Sequence, residues 1–134
     1  KVIYEAEQVI LNTSNRCVIL RCAGLMGYDR VAGKYFANKI STSQNERVNY
    51  VHRDDVIAII QLVIHKKLQN KIYNLCSPIH PKKGEVYLSN SKNHKFMPPI
   101  FKESIETNNR IINSDKTVEE LGYDYKYKNP LNYP

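Results

Sequence analysis

The stretch 49-NYVHRDDVIAIIQLVIHKK-67 decides how this chain is read. Four polar residues, His52, Arg53, Asp54 and Asp55, stand directly before a long apolar run. "RVNYVH" (47–52) has the β-branched, alternating character of a short strand. From Asp54 to Leu68, Val56, Ile59, Ile60, Val63 and Ile64 recur at helical spacing and give a broad apolar face. An aspartate before such a helix accepts N–H bonds from its first turn, so Asp54 or Asp55 is the expected cap. Lys66 and Lys67 then suit the last turn and its dipole. A strand running straight into a helix belongs to a parallel sheet. There the strand-to-helix loop lies at the carboxyl end, where ligands bind. His52 and Arg53 are therefore expected to face a cleft.

The flanking sequence repeats the pattern. "CVILR" (17–21) reads as a buried parallel strand, and "AGLMGYDR" (23–30) as the loop at its carboxyl end. "VAGKYFANKI" (31–40) suits one or two turns of helix, and "STSQNE" (41–46) a polar loop. "KIYNLC" (71–76) is another strand, and Pro78 and Pro81 bracket a loop. Residues 82–95 carry conflicting signals: Pro81 can open a helix, but "SNSKNH" is a poor helix former. "NRIIN" (109–113) has strand character. "SDKTVEELG" (114–122) is a helix with Ser114 as cap and Gly122 at its end. Tyr123, Tyr125 and Tyr127 alternate, as on an extended segment packing one face against the parent domain or a dimer mate.

Bulk properties narrow the function classes. A chain of 134 residues, 42% hydrophobic and 25% charged, supports one modest core. Its longest apolar run, "VIAIIQLVI", is shorter than the roughly 20 residues that span a bilayer. The net charge is +7, but the lysines are scattered and no aromatic-interleaved basic signature occurs, so nucleic acid is not the expected partner. Three cysteines, Cys17, Cys22 and Cys76, lack zinc-knuckle spacing and fit a reducing cytoplasm. No metal site is expected: His52, Asp54 and Asp55 have no further ligands at recognisable spacing. The kinase reading of H-R-D also fails, because Ile59 stands where a metal-binding Asn is required. The sequence opens on "KVIYEAEQVILN", already in helical spacing, and is expected to be part of a longer chain.

Four segments in order carry a resemblance, and two more point to one branch. "RCAGLMGYDR" (21–30) resembles the R-P/A-G-x-Y-G-P-G-R segment of the extended short-chain dehydrogenase/reductase family. "VNYVHRDDVIAII" (48–60) resembles its I/V-H-x-D-D-V/L stretch, and "KIYNLCSP" (71–78) its Y-N-L/V strand. "RIINSDKTVEELGYDYKY" (110–127) resembles its closing helix and L-G-W/Y-x-x-x-Y end. "EAEQVIL" (5–11) and "HPKKGEVY" (80–87) are similar to segments of the atypical, NAD(P)-dependent epimerase/dehydratase-like branch found in bacteria.

The resemblance implies an α/β fold: the C-terminal half of a Rossmann-like, doubly wound parallel sheet over 1–78, with a small α+β substrate-side appendage over 79–134. It implies NAD or NADP as cofactor, Cys22, Ala23, Gly24 and Leu25 lining the nicotinamide pocket, and Arg30, Lys34, His52 and Arg53 facing a small, anionic substrate. Arg21 has a second reading as a structural ion-pair partner. The family's Gly-rich turn and Tyr-x-x-x-Lys pair are not visible. Lys1 matches that Lys only if Glu5 is the following Glu; with Glu7 aligned there, Lys1 is a plain helix residue. No catalytic residue is assigned, and the chain alone is expected to be inactive. Cys22, Gly24, Met26, Tyr28 and Asp29 depart from the motif, and Val48 stands where some epimerases carry a phosphate-binding Arg. A nucleotide sugar is therefore not implied. The expected partners are the N-terminal half or a dimer mate. The other readings are a non-catalytic dinucleotide- or protein-binding module of the same fold, or a basic nucleic-acid-binding domain.

Overall fold

Residue 52 is where strand becomes helix, and the rest of the fold is arranged around that junction. The computed structural model describes residues 2–13, 16–103 and 109–134; Lys1 and any role for it lie outside them. The chain runs through α1 (Val2–Thr13), β1 (Val18–Cys22), β2 (Gly24–Met26), a 3-10 turn (Ala32–Phe36) and β3 (Ile40–Ser41). It continues through β4 (Tyr50–His52), α2 (Arg53–His65), β5 (Lys71–Leu75), α3 (Lys83–His94), β6 (Ile100–Phe101) and α4 (Asp115–Leu121), and ends on a second 3-10 turn (Pro130–Asn132).

The strands pair in parallel throughout: β1 with β5, β2 with β4, and β3 with β6. The first two pairs are joined at one point. The Ala23 N–H donates to Leu75 O at 2.9 Å, and the next N–H, of Gly24, donates to Asn49 O at 3.0 Å. The chain thus changes partner between adjacent residues. Ser77 N–H closes the gap by donating to Tyr50 O at 2.8 Å. The architecture is α/β with parallel strands, as expected. Gly24–Met26, expected as loop, is a strand, because β4 supplies a partner for it.

One core cluster gathers Val51, Ile59, Tyr73, Leu75, Leu121 and Tyr125; a second gathers Met26, Val48, Val86, Tyr87 and Tyr133. The helix over 83–94 settles the conflicting stretch. Glu85 accepts the Lys82 N–H at 2.7 Å, and Val86, Tyr87, Asn90 and Ser91 are buried. Burial of Val86 and Tyr87 in the second core, with Asn90 accepting the Gly33 N–H at 3.2 Å, outweighs the weak helix propensity of this stretch. The strand expected at 109–113 does not form. Asn49 instead clips this segment through its side chain, donating to Arg110 O and accepting from Ile112 N–H, both at 2.8 Å.

The caps also differ from expectation. At α2 the cap is His52, whose Nδ1 accepts from Asp54 N–H at 3.2 Å. At α4, Ser114 holds the cap position but its hydroxyl donates to Cys76 O; Asn113 Oδ1 takes the Asp115 N–H at 2.8 Å. Gly122 ends α4 at φ 66°, as expected.

Asp55, freed from capping, binds the C-terminal tail. Its buried carboxylate accepts from Tyr123 Oη at 2.6 Å, Lys126 N–H at 2.8 Å and Tyr127 N–H at 3.1 Å. The tyrosines therefore pack on their own domain: Tyr125 is in the first core and its hydroxyl accepts from Cys76 N–H. Replacing Asp55 by Ala leaves two backbone N–H groups and a hydroxyl without their acceptor. Asp55→Ala is expected to lower unfolding free energy by about 3 kcal/mol, against about 1 for Tyr123→Phe. Urea unfolding measures the difference, and hydrogen exchange should accelerate first at Lys126 and Tyr127.

Candidate functional site at the carboxyl ends of the strands

β2 and β4 end side by side, and the turn after β2 and the start of α2 after β4 together form the site. After β2 the chain makes a tight turn in which Gly27 and Arg30 exchange backbone hydrogen bonds at 3.1 Å. Gly27 has φ 132°, and a Cβ there would lie 2.5 Å from His52 Nε2. Only glycine meets both demands. Tyr28 comes next at φ 54°, and its N–H donates to Pro134 O at 3.1 Å, tying the turn to the chain's last residue.

Beside this turn is a cleft of about 210 Å³. Gly24, Leu25 and Met26 form one wall and the rings of Tyr35, Phe36, Tyr50 and Tyr87 much of the rest. A Cβ on Gly24 would lie 2.5 Å from a Tyr50 ring carbon, so the glycine lets that ring lie against the strand. Phe36 and Tyr87 stack with centroids 5.1 Å apart and planes 20° from parallel. Arg30 lines the cleft and is held by its Nε, which donates to Leu25 O at 2.8 Å.

On the other side of the turn is a polar group. Tyr28 Oη donates to Asp54 Oδ2 at 2.6 Å, and the Arg53 guanidinium lies 4.1 Å over the Tyr28 ring. The Tyr28 hydrogen bond holds the Asp54 carboxyl below its usual range, and the same bond pushes the Tyr28 phenol up. His52 lies beneath, wholly buried among Tyr28, Tyr127 and Tyr133, with the Tyr127 centroid 3.7 Å away. Burial lowers its pKa and outweighs the opposing pull of Asp54 and Asp55; Arg53 and Lys126 lower it further.

The expected site residues are thus partly brought together. Gly24, Leu25 and Arg30 share the cleft. Ala23 packs on the first core, and Cys22 lines a separate depression with Asn74 and Ile112. Lys34 is exposed on the 3-10 turn, and Arg53 is exposed over Tyr28. His52, expected to face a cleft, turns inward as cap and packing residue. Arg21 takes its structural reading: its Nε donates to Glu7 at 3.0 Å, and the guanidinium holds the Glu7 carboxyl below its usual range. The aromatic walls went unrecognised, since Phe36, Tyr50 and Tyr87 come from three distant segments.

A histidine kept neutral by burial binds its proton more readily unfolded than folded. The stability it lends is complete above the ordinary imidazole pKa of about 6.5 and is lost as pH falls from there toward its lowered folded value. The unfolding midpoint is therefore expected to drop between about pH 7.5 and pH 5.5. His52→Gln, which keeps an acceptor for Asp54 N–H, should flatten that drop; urea titration at both pH values measures it.

No protein-family model matches the chain. Among curated proteins it is similar to Protein YeeZ of Escherichia coli K12, with 35% identity over the whole of this chain and half of YeeZ. The chain thus spans about half the length of the curated relatives it matches. Among solved structures it matches a functionally unknown conserved protein from Silicibacter pomeroyi (TM-score 0.72, 19% identity, 94% of this chain and 50% of that one). It also matches a UDP-glucose 4-epimerase from Thermus thermophilus in complex with NAD (TM-score 0.64, 15% identity, 94% and 47%).

Proposed function

We infer that this chain, whose fold matches about half of the length of NAD-dependent epimerase/dehydratase structures, is the substrate-side part of an NAD(P)-dependent oxidoreductase of that kind. The observation that carries this reading is the cleft at the carboxyl ends of β2 and β4, the position where open parallel sheets bind ligands. The NAD held by the Thermus epimerase supports the cofactor.

The described residues suit one end of such a cofactor. Gly24, exposed beside Leu25 in β2, offers backbone without a side chain to the edge of a nicotinamide ring. Nothing in this sequence matches the Gly-rich turn that takes a pyrophosphate. The fit extends to the ring only, and no hydride step is assigned to this chain. Its own residues bind and orient: Leu25, Met26 and the aromatic rings give the cleft apolar walls, Arg30 attracts an anionic group, and the Tyr28–Asp54 bond fixes the turn.

The cofactor-binding part of a doubly wound sheet is the partner this reading requires. Supporting it, β1 pairs on one edge only among the described residues, α1 exposes Val2, Ile3, Val9 and Ile10, and α2 exposes Ile57, Ile60 and Ile64. No helix among the described residues is long and apolar enough to cross a membrane. Three cysteines without a disulfide among the described residues suit the cytoplasm.

Calorimetric titration of NAD and NADP into the polypeptide of the complete gene tests the reading. Saturable binding of one of them is expected, with this chain alone binding neither tightly. A complete polypeptide that binds neither would overturn it.

A further inference from the structure

We propose that the cleft beside Arg30 takes a single planar ring bearing one carboxylate. The proposal names the substrate class of the cleft and so rests on its reading as a substrate site.

Size sets the first limit. A dry cavity of about 150 Å³ lined by aliphatic and aromatic side chains admits benzene. At about 210 Å³ the cleft has room for one ring and a small substituent. It is smaller than the roughly 300–1,000 Å³ typical of sites for larger ligands.

The chemistry of the walls sets the second. Leu25 and Met26 are apolar, and the rings of Tyr35, Phe36, Tyr50 and Tyr87 supply aromatic surface on which a flat ring can lie. Tyr87 is deeply buried. Among the described residues, no Asp, Glu, Asn or Gln lines the cleft. A polyhydroxylated sugar would lose hydrogen bonds to water and find few replacements.

Charge sets the third. Among the described residues, Arg30 is the only ionised side chain of the lining, and no carboxylate there neutralises it. Its Nε is anchored on Leu25 O, which fixes the guanidinium while its two terminal nitrogens stay available. Two parallel N–H groups match a carboxylate better than a hydroxyl or neutral amide does.

The test is ligand-observed NMR titration of this chain with benzoate, benzamide, cyclohexanecarboxylate and UDP-glucose. Benzoate is expected to bind saturably, about ten-fold or more tighter than benzamide, and tighter than either other probe. Arg30→Gln should erase the preference for benzoate while leaving benzamide binding intact, which also shows that the variant is folded. Phe36→Ala should weaken benzoate and benzamide alike. Equal affinity for benzoate and benzamide, tighter binding of UDP-glucose, no effect of Arg30→Gln, or no benzoate binding would each overturn the proposal. Its failure is distinct from that of the functional reading: NAD or NADP binding by the complete polypeptide tests the latter and does not depend on benzoate.

Discussion

A buried carboxylate that must find its donors organises this molecule. Asp55 stands in the first turn of α2, out of contact with water, and an ionised carboxylate there is tolerable only when hydrogen-bonded. The donors come from a segment roughly seventy residues later: the Tyr123 hydroxyl and the backbone N–H groups of Lys126 and Tyr127. Two of the three are main-chain groups, so the carboxylate fixes the path of the tail itself. That path lays Tyr127 and Tyr133 against His52 and brings Pro134 to the Tyr28 N–H. The turn at the site is thereby tied to the chain's end.

The same junction explains the division of labour in His52–Asp55. The four residues are more than a simple helix start. His52 caps α2 and fills the space under Gly27; Arg53 covers the Tyr28 ring; Asp54 receives the Tyr28 hydroxyl; Asp55 holds the tail. Each role comes from side-chain direction as strand gives way to helix. The cleft lies across the turn from this group, so its shape depends on how firmly the turn is held.

Much of this was legible in the sequence. The apolar spacing of Val56, Ile59 and Val63 announced α2, and Gly122 announced the end of α4. The order of the motifs announced an α/β fold with parallel strands. What escaped has a common cause: it depends on partners far away in the chain. Gly24–Met26 is a strand only because Tyr50–His52 lies beside it, and Ile40–Ser41 only because of Ile100–Phe101. Residues 83–94 are helical because Val86 and Tyr87 find the second core. The aromatic cleft needs Phe36, Tyr50 and Tyr87 together. Capping by His52 was hidden because the adjacent aspartates are the better caps in isolation.

The most direct measurement is a crystal structure of the complete polypeptide with NAD or NADP bound, read for the position of the nicotinamide. The ring is expected against Ala23–Leu25, with the aromatic cleft and Arg30 opening beside its reactive face. A nicotinamide lying elsewhere, with the cleft sealed beneath the remainder of the chain, would refute the assignment of this cleft as the substrate side of the site.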